Sequence, residues 1–172
     1  MINYQIAKKI LKKSIIKIKD EKIKSVNSLN RVASANIYSS IDYPSGNNAA
    51  FDGFAINSKD TKNINKKINQ KFKIIGSIAA GTRPFKKIIK RFDAVEIMTG
   101  GIIPNGFDTI VPIEKIVFSP SIKNRKYILI NKKVDKFNHV RFKGSDYKKN
   151  EIVFKKNSII QPNHILTFKT LG

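Results

Sequence analysis

Near the start of the chain, apolar positions recur with helical spacing. Ile6, Ile10, Leu11, Ile15 and Ile18 fall on one side, and Lys8, Lys9, Lys12, Lys13 and Lys17 lie between them. This predicts an amphipathic helix over about the first twenty residues, with an almost purely basic polar face. A membrane surface or a partner is one resting place for such a helix. Packing on its own domain is commoner and is the arrangement expected here. A short strand is expected near Ile23 to Val26, then a helical turn capped by Ser28, then extended chain from Ala35 to Ile41.

The pattern changes after Asp42. From there to Ala55 turn-forming residues crowd together, so this stretch reads as an ordered loop or linker until Phe54-Ala55-Ile56 resumes as strand. Asn57 to Gln70 has no period and reads as a surface connection without chemistry. Short apolar runs at Phe72 to Ile78, Ala94 to Met98, Thr109 to Ile113, Lys115 to Phe118 and Tyr127 to Ile130 predict strands separated by Gly, Pro and Asn clusters. Another strand is expected at Glu151 to Phe154. Pro162 is placed to be the first residue of a closing helix that ends at Leu171-Gly172. The expected class is α+β: a β-rich, two-lobed region in which residues 44–133 form an inner β lobe inserted into an outer lobe built from 1–43 and 134–172.

Composition narrows the chemistry. With 172 residues and 41% hydrophobic side chains the chain can bury a core. It has no cysteine, which excludes disulfides and thiolate metal sites, and its two histidines, His139 and His164, lie far apart in sequence, which argues against zinc. No apolar run is long enough for a membrane span, and the N-terminus lacks a signal-peptide pattern, so a cytoplasmic protein is expected. The net charge of +22 would ordinarily suggest nucleic acid. Lysines, however, are spread over nearly every segment among many Ile and Asn residues, as a coding bias toward A and T produces, and aromatics do not interleave with them. Nucleic acid is therefore not the first expectation.

The most informative stretch is Asp93 to Glu114, where an apolar strand runs into the turn Met98-Thr99-Gly100-Gly101 before a second apolar strand. Four blocks in order carry a resemblance: Pro44 followed by Asn48-Ala49-Ala50-Phe51-Asp52-Gly53-Phe54-Ala55; then Ala80-Gly81; then Ile97-Met98-Thr99-Gly100-Gly101 with Pro104-Asn105-Gly106-Phe107-Asp108 and Ile110-Val111-Pro112-Ile113-Glu114; then His139-Val140-Arg141-Phe142-Lys143-Gly144-Ser145-Asp146. Together they resemble the N-terminal and linker region of molybdopterin molybdenumtransferases, the MoeA and gephyrin E-domain family. The likeness runs from about Leu29-Asn30-Arg31 to Leu171-Gly172. Ala49 stands where that family usually has serine, Glu96 where it has arginine, Phe107 where it has alanine, and Asn30, Phe92 and Asn150 where it has glycine. The family's pterin-binding α/β core and its small C-terminal β domain have no counterpart in this sequence.

The resemblance implies molybdenum cofactor biosynthesis: insertion of molybdate into adenylylated molybdopterin with Mg²⁺ and release of AMP. It also implies a homodimer whose cleft sets the front region of one subunit against the core of the other. A separately encoded core polypeptide is a further partner that the missing part implies. On this basis Asp52, Thr99 and Asp146 are the candidate catalytic residues. Gly53, Gly100, Gly101 and Arg141 are the candidate substrate-binding ones, and the metal ligands are unknown. Each has a plainer reading beside it. Asp52 and Asp146 also suit turn aspartates that bond nearby amides. Gly100-Gly101 suits either an anion-holding nest or a simple hairpin turn, and Arg141 either a phosphate fork or a surface arginine. Asp108 and Glu114 are expected to be structural and to pair with lysines. The alternatives to an enzyme part are a non-enzymatic basic binding module and a truncated remnant.

Overall fold

The computed structural model describes residues 2–14, 18–64, 69–82 and 86–172. In chain order its helices and strands are α1 Tyr4–Lys13, β1 Ile37–Tyr38, β2 Asn48–Ala49, β3 Gly53–Ile56, β4 Gln70–Ile78, β5 Asp93–Ile97, β6 Thr109–Pro112, β7 Val117–Pro120, β8 Arg125–Ile130, β9 Val140–Arg141, β10 Ile152–Phe154 and α2 Pro162–Leu171. The molecule is β-rich α+β, with a helix near each end, as the patterning predicts. Two compact units are present, Met1–Ile37 with Phe154–Thr170, and Tyr38–Val153 with Leu171–Gly172.

In the larger unit a six-stranded sheet has the order β6-β3-β5-β4-β8-β7. Only the β4–β5 pair is parallel; the other neighbours are antiparallel. Every residue of β3 and of β6 is buried, which is why these strands read as continuous apolar runs rather than as alternating ones. Alternate residues of one strand face opposite sides of a sheet. Phe54 and Ile56 accordingly join a cluster with Phe72, Ala94, Val111 and Ile128, while Ala55 joins Ala49, Val95, Ile97, Phe107 and Ile110. On β4 the register against β5 shifts between Ile74 and Ser77. This irregularity lets Phe72 and Ile78, an even number of residues apart, serve different clusters.

Thr61, expected in a chemically idle connection, is fully buried. Its hydroxyl donates to the Ser58 carbonyl at 2.8 Å and accepts the Val134 amide at 3.0 Å. Thr61→Val would leave that buried amide without a partner and is expected to cost about 2 kcal/mol, read from the shift in urea unfolding midpoint at unchanged m-value.

The smaller unit packs Ala33, Phe154 and Ile160 with Ile37, Ile165 and Phe168. Pro162 opens α2, and the His164 ring nitrogen Nδ1 accepts the Gln161 amide at 3.0 Å, satisfying a donor at the helix start. At the other end α1 is capped by Asn3, whose side chain accepts the Ile6 amide at 2.9 Å. It ends at Lys13, short of the twenty residues expected; its extension through Ile15 and Lys17 lies outside the described residues. None of its residues is buried, so the expected packing on its own domain is not seen. The strand expected at Ile23 to Val26 is instead a 3-10 turn at Ser25–Asn27, closed by the Ser28 hydroxyl donating to the Ser25 carbonyl. Ser28 ends this turn and also starts the next, its carbonyl accepting the Arg31 amide at 3.0 Å. No described helix is long and apolar enough to cross a membrane.

Asn30, Phe92 and Asn150, the three residues standing where the resembled family has glycine, all adopt left-handed backbone, with φ of 60°, 63° and 68°. Asparagine tolerates this region; a phenylalanine there costs about 1–2 kcal/mol. Contacts around Phe92 hold it in place: its amide donates to Asp60 Oδ2 at 3.0 Å, and its ring meets Phe72 edge-on at 5.8 Å.

Candidate functional site

The two-residue strand β2 organises the site. Along one edge the Ala49 amide donates to the Gly101 carbonyl and the Gly100 amide donates back to Ala49, at 3.0 and 2.9 Å. Along the other, Asn48 and Ala49 pair with Arg141 and Val140 of β9. The turn after β5 and the His139–Asp146 segment are thereby tied to the same short piece of chain. Asn48 is itself buried, and its side-chain oxygen has no hydrogen-bond partner among the described residues. An isolated buried acceptor is uncommon. Asn48 opens the first block of the resemblance, which is the signal that sets it apart from the asparagine beside it.

Leaving β2, the chain exposes Phe51 and Asp52 before entering β3 at Gly53. The Asp52 oxygen Oδ1 accepts the Thr99 amide at 2.6 Å and the Thr99 hydroxyl at 2.7 Å. Hydrogen bonds to a carboxylate favour its charged form, so these two, the backbone one first, hold Asp52 below its ordinary value against a smaller opposing effect of burial. Oδ2 accepts nothing from the described residues. Asp52 is thus a poised acceptor rather than a proton donor at neutral pH. Phe51 stands edge-on to the His139 ring, 4.8 Å between centroids.

Gly100 and Gly101 take the plainer of the two readings open to them, a closed turn. The amides of Thr99, Gly100 and Gly101 all donate within the protein, to Asp52, Ala49 and Met98. The turn therefore presents no unspent amide nest, because β2 and Asp52 take those donors. Gly53 sits inside the sheet, paired with Ile97 on one side and Pro112 on the other. There its lack of a side chain answers to packing.

Asp146 and Arg141 form a separate pair. An Arg141 guanidinium nitrogen donates to Asp146 Oδ2, the Ser145 hydroxyl donates to Oδ1 at 3.2 Å, and the Asp146 amide donates to the Tyr43 carbonyl at 3.0 Å. Among the described residues no hydrogen bond or ion pair joins this pair to Asp52 and Thr99. Asp108 is structural as expected, but its partners are the Ser58 amide and hydroxyl, at 2.7 and 2.9 Å, rather than a lysine. Glu96 lies 3.5 Å from Arg125. Ala49 and Phe107 fill one apolar cluster, where a serine hydroxyl would be desolvated. No group of three or more His, Cys, Asp or Glu side chains among the described residues is placed to hold a metal ion.

His139 is held below its ordinary value of 6.5, first by burial and then by the charge of Lys115. A depressed histidine leaves the unfolded chain binding more protons, so stability falls as pH drops through 6.5. Asp42 and Asp52 are depressed carboxylates; their contribution is present above 3.8 and is lost as pH falls through their lower folded values. The urea midpoint is expected to fall in two stages on acidification. His139→Asn, which tolerates the 55° φ found there, should remove the first stage only.

The chain matches the family model for the MoeA N-terminal region, domains I and II, over residues 2–172. It is 33% identical over 145 residues to a molybdopterin molybdenumtransferase of Staphylococcus aureus, covering 84% of this chain and 33% of that protein. A Staphylococcus epidermidis enzyme of the same name is 29% identical over 171 residues, covering 99% of this chain and 39% of the relative. The molybdopterin biosynthesis moeA protein from Pyrococcus horikoshii OT3 superposes with a TM-score of 0.85 at 28% identity, over 100% of this chain and 44% of that one. The fold and the family match define a front region of the MoeA type. This chain belongs to the MoeA N-terminal family, and it spans little more than a third of the curated relatives it matches.

Proposed function

We propose that this chain supplies the front part of a molybdopterin molybdenumtransferase in the cytoplasm, acting in the insertion of molybdate into adenylylated molybdopterin with release of AMP. The observation that carries the reading is the Asp52–Thr99 pair, an exposed carboxylate fixed by two hydrogen bonds where the loop enters β3. Thr99 spends its hydroxyl proton on Asp52, so it offers lone pairs to the site. Asp52, held ionised, accepts a hydrogen bond through Oδ2 and orients a water or a protonated oxygen of the substrate. Its lowered proton affinity makes it a weak base, which favours positioning over proton abstraction. Arg141 and Asp146 neutralise one another.

The working unit in this proposal is a homodimer in which Asp52 of one copy faces the pterin-binding core of the other. That core is supplied by the remaining two-thirds of the relatives' length, on the same or a separate polypeptide. Mg²⁺ is held by groups outside this chain. The net charge of +22 draws the anionic substrates toward the site.

The test is AMP release from adenylylated molybdopterin with molybdate and Mg²⁺, using this chain alone and then with the core of the Staphylococcus aureus relative. Release only with both parts supports the proposal. Release by the chain alone would overturn the division of labour. No release in either arm from folded chain would favour a basic binding module or a remnant.

A further inference from the structure

Beside β6 a cleft of about 200 Å³ has an apolar floor of Ile110, Val111 and Ile130 and a rim bearing Lys115, Lys132, Lys133 and Asn138. These groups come from three parts of the chain, each fixed by hydrogen bonds. Lys115 ends a 3-10 turn whose first residue, Ile113, donates its amide to the Asp52 carbonyl at 3.1 Å. The Val134 amide, just after Lys132 and Lys133, is held by buried Thr61. Asn138 is anchored by its carbonyl, which accepts the Ile110 amide at 3.0 Å, and Asp135 by its carbonyl, which accepts the Thr109 hydroxyl at 2.9 Å. The rim backbone is therefore set before any ligand arrives, which lowers the ordering cost of binding.

The charges around the cleft do not balance. Its one carboxylate, Asp135, lies 3.8 Å from Lys133. Among the described residues no carboxylate lies within ion-pair distance of Lys115 or Lys132. Two lysines lining one small concavity without a counter-charge favour an anion that can accept several hydrogen bonds. The cleft is smaller than the usual pocket for a drug-sized molecule, so the group it takes is compact.

We infer that this cleft binds a tetrahedral oxyanion: a phosphate group, free or at the end of a larger ligand, or molybdate. The inference does not rest on the transferase reading, since it concerns equilibrium binding to this chain alone.

Inorganic phosphate and molybdate are titrated separately into the whole chain at constant ionic strength, with chloride as the balancing anion, and amide resonances are followed by NMR. The expected result is a saturable change confined to residues around Lys115, Ile130 and Asn138. In a Lys115→Gln, Lys132→Gln double variant the affinity should weaken roughly tenfold or more, and a Lys8→Gln, Lys9→Gln variant in α1 should bind as the parent does. Saturation with phosphate but not molybdate would identify a phosphate-group site, and the reverse a molybdate site. His139 supplies a second readout, because a dianion at Lys115 should raise its titration midpoint in the parent and not in the double variant. Non-saturating changes spread over all the lysine-bearing segments, or unchanged affinity in the folded double variant, would overturn the inference. Absent AMP release would leave it standing.

Discussion

Gly53→Ala is expected to destabilise the larger unit by more than about 3 kcal/mol, enough to prevent accumulation of folded protein if the parent is of ordinary stability. A Cβ built at this position lies 2.1 Å from the Val111 carbonyl oxygen and 2.9 Å from Pro112 Cα. Both are backbone atoms of a buried strand, so no side chain can rotate away. Relief requires β6 to retreat from β3, which breaks the Gly53–Pro112 and Phe54–Val111 pairing and opens the clusters on both faces. Gly81→Ala is the contrast: nothing lies within 4 Å of its Cβ, and only its φ of +74° is unfavourable, at about 1–2 kcal/mol. Urea unfolding followed by circular dichroism separates the two. A Gly53→Ala protein with a midpoint near the parent's would show that the β3–β6 register is wrong.

Asp52→Asn carries the largest functional prediction. In an assembled transferase, kcat for AMP release should fall by roughly 10²-fold through lost positioning, while the urea midpoint at pH 7 changes little. The amide oxygen of asparagine can still accept both Thr99 donors, so the loop keeps its geometry; what disappears is the negative charge and the acceptor at Oδ2. A loss confined to KM would move Asp52 from positioning in the reaction to ground-state binding. A large stability loss with intact turnover would make it a turn aspartate.

Much of the fold was legible because the strands obey simple burial rules. Phe72 to Ile78, Ala94 to Met98 and Thr109 to Ile113 read as strands since their apolar residues must leave water, and β4, β5 and β6 lie there within a residue or two. The closing helix was legible from Pro162, whose fixed φ and missing amide suit a helix start. Ile23 to Val26 misled because a short alternation is indistinguishable from strand until a neighbour supplies the missing hydrogen bonds, and none does. β2 was invisible for the converse reason, whereas β9 falls in the stretch Val140-Arg141-Phe142 that reads as extended. Asn48-Ala49 lies among turn formers, has no pattern of its own and becomes a strand because it pairs with Val140-Arg141.

The site divides along the same line. Asp52, Thr99, Arg141 and Asp146 stood out as candidates in the sequence because carboxylates, a hydroxyl and a guanidinium lay beside turn glycines in a recognisable order. Their partners were not, since Asp52 and Thr99 are 47 positions apart, and only the β3–β5 pairing brings the ends of those strands together. Contacts to Ala49 of β2 and to Met98 consumed the glycine amides that looked available to an anion, and the fold left Lys115 and Lys132 beside one cleft although no motif joins them. The sequence by itself determined which segments leave water and which residue types can do chemistry, because both follow from local composition and order. Tertiary structure alone decided which donors are spent, which charges stay uncompensated and which residues face each other, because those depend on contacts between segments far apart in the chain.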